Sequence, residues 1–83
     1  MFLQINIESK DETREEVVFM TKDDFEALIS LHKDLVEEDF SITGVQHECR
    51  AFDITVEWAD DEEDIYEDDI TSVEEAIEIL NSF

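Results

Sequence analysis

Two groups of residues have the types and spacing for chemistry. In the stretch "WADDEEDIYEDDI", Trp58 to Ile70, the residues Asp60, Asp61, Glu62, Glu63, Asp64, Glu67, Asp68 and Asp69 put eight carboxylates into ten positions with no basic residue among them. Carboxylates so crowded are hard-cation ligands or general acids and bases. The second group is His47 and Cys49, two apart in "VQHEC". On an extended chain such residues share a face, which sets an imidazole beside a thiol as nucleophilic catalysis requires.

Both chemistries fail on inspection of their neighbours. With Asp60, Glu62 and Asp64 as the first three ligands of an EF-hand loop, Ile65 falls where the loop needs Gly and Thr71 where it needs a bidentate Glu. A start at Asp61 puts Tyr66 and Ser72 at the same two positions, so no metal is expected. His47 and Cys49 lack a third residue to orient the pair and read as an edge histidine beside a small packed cysteine. His32 lies on the apolar stripe of a helix, where a satisfied, partly buried histidine is expected. Gly44 is the only glycine, which excludes a glycine-rich phosphate loop, and no Ser/His/Asp signature is present. The chain is therefore expected to be no enzyme and to use no cofactor.

The elements that must hold these residues are legible from periodicity. "FLQINIE" alternates, with Leu3, Ile5 and Ile7 on one face and Gln4, Asn6 and Glu8 on the other, and "EVVFM" supplies a second strand. Between them Glu8 to Glu16 reads as the tip of a hairpin. Thr21 is an N-cap with Asp24 three residues on, and Met20 is placed to staple against Phe25. Phe25, Leu28, Ile29, His32, Leu35 and Val36 then recur at helical spacing. "FSITGVQHECR" and "AFDITVEW" read as extended, with Gly44 at a turn or bulge and Phe52, Ile54, Val56 and Trp58 opposite Asp53, Thr55 and Glu57. "TSVEEAIEILNSF" offers Thr-x-x-Glu and Ser-x-x-Glu capping boxes before the stripe Val73, Ala76, Ile77, Leu80. The order β-β-α-β-β-α predicts a small single α+β domain spanning 1–83, with about four strands in a mainly antiparallel sheet packed against two helices, and an acidic segment at 59–70.

Composition decides what such a domain is for. Eighty-three residues hold one modest core, and nine Ile and six Phe mark a chain that collapses. Its formal net charge of −21 opposes that collapse. Residues 1–50 carry thirteen acids and five bases (Lys10, Arg14, Lys22, Lys33, Arg50), whereas residues 51–83 carry thirteen acids and no base. Such a surface repels nucleic acid and anionic membranes and attracts basic proteins. One cysteine, no basic leader and no long apolar run are consistent with a cytoplasmic setting. Salt-adapted acidity alone does not call for so large an apolar load.

The acidic run also has the charge density of a nucleic acid. Duplex DNA presents one charge per about 1.7 Å of axis, or about 3.4 Å along one strand. Eight acids in ten residues give roughly one per 1.9 Å if helical and roughly one per 4 Å if extended. Trp58, Ile65, Tyr66 and Ile70 lie within or beside the run and are suited to tie it down. Asp53 and Glu57 on a strand, with Glu74, Glu75 and Glu78 on the last helix, are candidates to extend the surface.

A short, strongly acidic chain with a small α+β fold resembles the DNA-mimic inhibitors that bacteriophages and mobile elements direct against host nucleic-acid enzymes. Uracil-DNA glycosylase inhibitor, anti-restriction proteins and several anti-CRISPR proteins are of this kind, and they share no common motif from which a residue is transferred. The resemblance implies carboxylates seated in a Lys/Arg cleft that normally holds phosphates. The expected partner is a basic nucleic-acid-binding protein: a nuclease, CRISPR effector, restriction or repair enzyme. Asp60 to Asp69 would be the centre of contact and Tyr66 an anchor. An immunity or antitoxin-like protein, or an acidic regulatory module, is the alternative. Exposed strand edges also leave a homodimer open.

Overall fold

A computed structural model describes residues 2–36, 40–59 and 70–83. It has the α+β architecture and element order that the sequence predicts: β1 (Phe2–Ser9), β2 (Glu15–Thr21), α1 (Lys22–Leu31), β3 (Gln46–Glu48), β4 (Phe52–Trp58) and α2 (Val73–Asn81). The strands form one antiparallel sheet in the order β2-β1-β4-β3. β1 is therefore central, pairing with its hairpin partner β2 on one side and with β4 on the other.

Alternation fixes which way each strand faces. Leu3, Ile5 and Ile7 of β1, Val18 and Met20 of β2, and Phe52, Ile54 and Val56 of β4 are all buried. They meet Phe25 and Leu28 of α1 and Ala76 and Leu80 of α2 in one core, so both helices cover the same face of the sheet. Each helix starts where its side chains satisfy free backbone donors. Thr21 Oγ1 accepts from the Asp24 amide at 3.2 Å, and Ser72 Oγ from the Glu75 amide at 3.2 Å. Of the two N-cap candidates before α2, Thr71 and Ser72, the chain uses Ser72. The Thr71 amide instead donates to the Phe19 carbonyl at 2.8 Å, beside a parallel bridge between Phe19 and Ile70.

Two elements are shorter than their patterns. Helical spacing persists to Val36, yet α1 stops at Leu31 because His32 takes an extended conformation with ψ of 125°. The His32 ring accepts the Asp34 amide at Nδ1, 3.2 Å away, so a side chain takes up a backbone donor just past the helix end. A turn on the His32 carbonyl follows, which still buries Leu35 but leaves Val36 exposed. The extended stretch before β4 likewise yields only three paired residues. Gly44 adopts φ of +74° and donates to the Val56 carbonyl at 3.0 Å, one residue out of the β3–β4 register, as at a bulge.

Gly44 is needed for its backbone, since an added Cβ would meet the nearest atom, Glu57 Oε2, at an ordinary 3.6 Å. Gly44→Ala is expected to cost about 1–2 kcal/mol from left-handed strain alone, read as a lowered urea midpoint with unchanged slope. At the far end of the sheet Arg14 closes the fold. Its guanidinium donates to the Ser82 carbonyl at 3.0 Å, pairs with Glu16 at 3.4 Å and lies 4.3 Å from the Phe83 ring centroid. Among the described residues, no helix is long and apolar enough to cross a membrane.

Candidate functional site

The face turned away from the helices is polar, and register places its acids in line. Glu8 of β1 lies opposite Glu15 of β2 on one side and Asp53 of β4 on the other, and Asp53 lies opposite Glu48 of β3. One row perpendicular to the strands thus collects a carboxylate from each of the four. The next row along the strands is Val17, Asn6, Thr55 and Gln46, and the third includes Phe19, Gln4 and Glu57. A shallow depression of about 200 Å³ lies against the carboxylates, lined by Asn6, Glu8, Glu15, Gln46, Asp53 and Thr55. Among the described residues, no helix packs on this face.

Directly opposed like charges weaken a sheet, and here three such pairs run in series. Their nearest counter-charge is Lys10, whose Nζ contacts Asp53 Oδ1 at 2.5 Å. That hydrogen bond, with the Asp53 and Glu48 charges, holds the Lys10 ammonium above its ordinary value. The loop carrying Lys10 is itself fixed. Asp11 accepts from Ser9 Oγ at 2.8 Å, from Thr13 Oγ1 at 2.7 Å and from the Thr13 amide at 3.2 Å, while Glu12 adopts a left-handed φ of 61°.

These bonds, the Thr13 hydroxyl first, hold the Asp11 carboxyl below its ordinary 3.8. A depressed carboxylate stabilises the fold above its unfolded value, and the contribution is lost as pH falls through the folded value. Thr13→Val is therefore expected to raise the Asp11 titration midpoint toward 3.8, read by side-chain carboxyl NMR. An unmoved midpoint would dissociate the hydroxyl from the shift.

The structure brings some of the sequence candidates together and separates others. Asp53 and Glu57 project from β4 on the open face. Glu74, Glu75 and Glu78 are exposed on α2, in the layer on the other side of the sheet. Asp60, Asp61, Glu62, Glu63, Asp64, Tyr66, Glu67, Asp68 and Asp69 lie outside the described residues. The residues flanking that run are both held. The buried Ala59 donates its amide to the Phe2 carbonyl at 3.0 Å, and Ile70 bridges to Phe19. Trp58 remains partly exposed at the end of β4.

The two histidines are built into packing. His32 is 4% exposed. Because its Nδ1 accepts from Asp34, Nε2 carries the proton and donates to Asn81 Oδ1 at 3.2 Å, joining the ends of the two helices. His47 stands edge-on to Phe40 with centroids 5.1 Å apart, and Nε2 accepts the Ser41 amide at 3.4 Å. Cys49 is buried. Among the described residues, no group of three or more His, Cys, Asp or Glu is placed to hold a metal ion.

Glu15 and Glu48 are the members of the row that local periodicity does not single out, whereas the alternation of β1 puts Glu8 on the polar face. The hairpin spacing carried a signal for one pair, since a tip between Glu8 and Glu16 sets Glu8 near Glu15. The pairing of β1 with β4 joins residues more than forty positions apart and leaves no local trace. Set against protein-family models, curated proteins and solved structures, the chain gives no match, so the row is read on its geometry alone.

Proposed function

We propose that the chain is a small acidic nucleic-acid mimic that seats its carboxylates in the basic nucleic-acid-binding cleft of a partner protein and blocks it. The observation that supports this reading is the row Glu15, Glu8, Asp53, Glu48. Adjacent strands are about 4.8 Å apart, so the row sets four carboxylates at about that interval, with Asp53 paired to Lys10. One strand of DNA offers a charge every 3.4 Å or so. The chain thus matches the sign of the phosphates and approaches their linear density.

Physics favours such a row over a free acidic tail. Strand backbones fix the carboxylates before contact, so little ordering entropy is lost on binding. The eight acids of Asp60 to Asp69 add charge to the same chain and contribute to long-range attraction. A sheet that keeps like charges opposed gives up stability, which fits a surface retained for binding. Partners with a suitable Lys/Arg cleft are nucleases, CRISPR effectors and restriction or repair enzymes. A phage or mobile-element inhibitor of host defence or DNA processing is the corresponding biological role.

The test begins with capture from a host lysate at low salt, elution along a salt gradient and identification by mass. The captured protein is then offered labelled DNA with and without this chain. Displacement of DNA, weakened by salt, is the expected outcome. Undisturbed DNA binding alongside a tight complex would sink the mimic reading and favour an immunity-type or regulatory partner. Affinity that survived both neutralisation of the row and of Asp60 to Asp64 would remove the electrostatic basis altogether.

A further inference from the structure

Among the described residues, His32 is the one polar or charged side chain buried with the core. Histidine is also the side chain that ordinarily changes charge between about pH 5 and 8. The hydrogen bonds of this ring leave it one protonation state. A backbone amide only donates, so Nδ1, 3.2 Å from the Asp34 nitrogen, is bare, and Nε2 carries the proton offered to Asn81 Oδ1 at 3.2 Å. A second proton has no site but Nδ1. There it would face the Asp34 amide proton, donor against donor.

What the contact holds is a turn. The Leu35 and Val36 amides both donate to the His32 carbonyl, at 3.1 and 3.0 Å, and the turn seats Leu35 fully buried in the core. Residues 33–36 pair with no strand, so their release leaves the sheet ladder whole. Around the ring, β4 contributes the edge of Phe52, and α2 contributes Asn81 with the exposed Glu78 three residues before it. The segment itself adds the exposed Lys33 and the half-buried Asp34, and Arg14 lies beyond α2 on the Ser82 carbonyl. Neither bond of the ring goes to a carboxylate, so an imidazolium gains no ion pair through them. Charge nevertheless favours the proton. The ring stands at the C-terminal ends of α1 and α2, neither of which has a basic residue in its last turn, in a chain of net charge −21. Charge and hydrogen-bond geometry thus pull one ring in opposite directions.

We propose that His32 is a proton-operated latch: a proton taken up at Nδ1 displaces the Asp34 amide, and residues 33–36 swing off the end of α1, releasing Leu35 from the core while the sheet stays paired. The device stands apart from the partner-blocking reading. It is closed where the ring is neutral and opens as pH falls through the ring's titration. Opening widens a depression of about 280 Å³ between the two helix ends, lined by Leu31, His32, Lys33, Ile77 and Asn81.

The experiment uses the full chain with His47→Gln, which leaves His32 as its only histidine. The chain is titrated from pH 8 to pH 5. Imidazole NMR shifts follow the ring, and amide exchange, corrected for the intrinsic rate, follows the backbone. Protection at Leu35 and Val36 is expected to fall about tenfold in step with the ring, the effect of one lost hydrogen bond, while the amides of the central strand β1 keep theirs. Asn81→Asp places a carboxylate against Nε2, which favours the charged ring, and should move the shared midpoint to higher pH. His32→Asn, whose Oδ1 stands in for Nδ1 and takes no proton, should show no step. If that variant does not fold, the direction of the Asn81→Asp shift still decides. A ring that titrates with Leu35 and Val36 protection unchanged, a ring that stays neutral to pH 5, loss of protection in β1 to the same degree, or an unmoved midpoint in Asn81→Asp would each overturn the latch.

Discussion

Neutralising three members of the row, with Glu8→Gln, Asp53→Asn and Glu48→Gln together, is expected to weaken partner binding about a hundredfold while raising the thermal midpoint. The two effects share one cause. Each carboxylate loses an exposed or partly exposed pairing of up to about 1 kcal/mol, and three of them amount to roughly two decades in affinity. In the free chain the same substitutions remove the opposed pairs Glu15·Glu8, Glu8·Asp53 and Asp53·Glu48. At a few tenths of a kcal/mol per pair this returns about 1 kcal/mol of stability, or about 4 °C or more in a domain of this size. The lost contact of Lys10 with Asp53 is solvent-exposed and offsets only part of the gain. Binding isotherms and calorimetric melting on the same variant read both signs. A variant that lost affinity and stability together would point to a disrupted fold, and one that lost neither would show that the row is an inert surface.

The second large effect lies in the core. Phe52→Ala is expected to leave the chain mostly unfolded at 25 °C in low salt. Phe52 is fully buried on β4, an inner strand of the sheet, and stands edge-on to the His32 ring at 6.0 Å and to the Phe83 ring at 5.9 Å. It therefore joins the sheet to the end of α1 and to the chain beyond α2. Truncating a buried phenylalanine costs about 3–5 kcal/mol. At roughly 0.05–0.15 kcal/mol per residue, the whole domain holds about 4–12 kcal/mol, and a charge of −21 works against it. Added salt screens that repulsion, so circular dichroism should show Phe52→Ala regaining structure near 1 M salt. Phe52→Leu, which keeps most of the volume, should cost under about 1.5 kcal/mol and stay folded in low salt.

The parts of the fold that rest on local rules were readable from the sequence. Alternation in "FLQINIE" and "FDITVEW" marks the buried and open faces of β1 and β4, and Thr21 and Ser72 act as the caps their positions suggest. Periodicity overran the end of α1 because Leu35 keeps its helical spacing, and its place in the core, after the backbone has turned at His32. What ends the helix is a contact between a ring nitrogen and a backbone amide, which no hydrophobic pattern encodes. The candidate site divided in the same way. Asp53 and Glu57 could be assigned to a polar strand face, but the row exists only once β1 pairs with β4 and β4 with β3. Register between distant strands is set by the packed core as a whole. Density of acids drew attention to Asp60 to Asp69, while the geometry on view belongs to sparser acids brought together by pairing.

One measurement bears most directly on whether this face does the blocking. The captured partner is bound to labelled DNA and titrated with the chain and with its Glu8→Gln, Asp53→Asn, Glu48→Gln form, at two salt concentrations. The expected result is full displacement by the unaltered chain, about a hundredfold more of the altered chain for the same displacement, and a gap that narrows as salt rises. A ternary complex of partner, DNA and chain, or equal displacement by both forms, would contradict it.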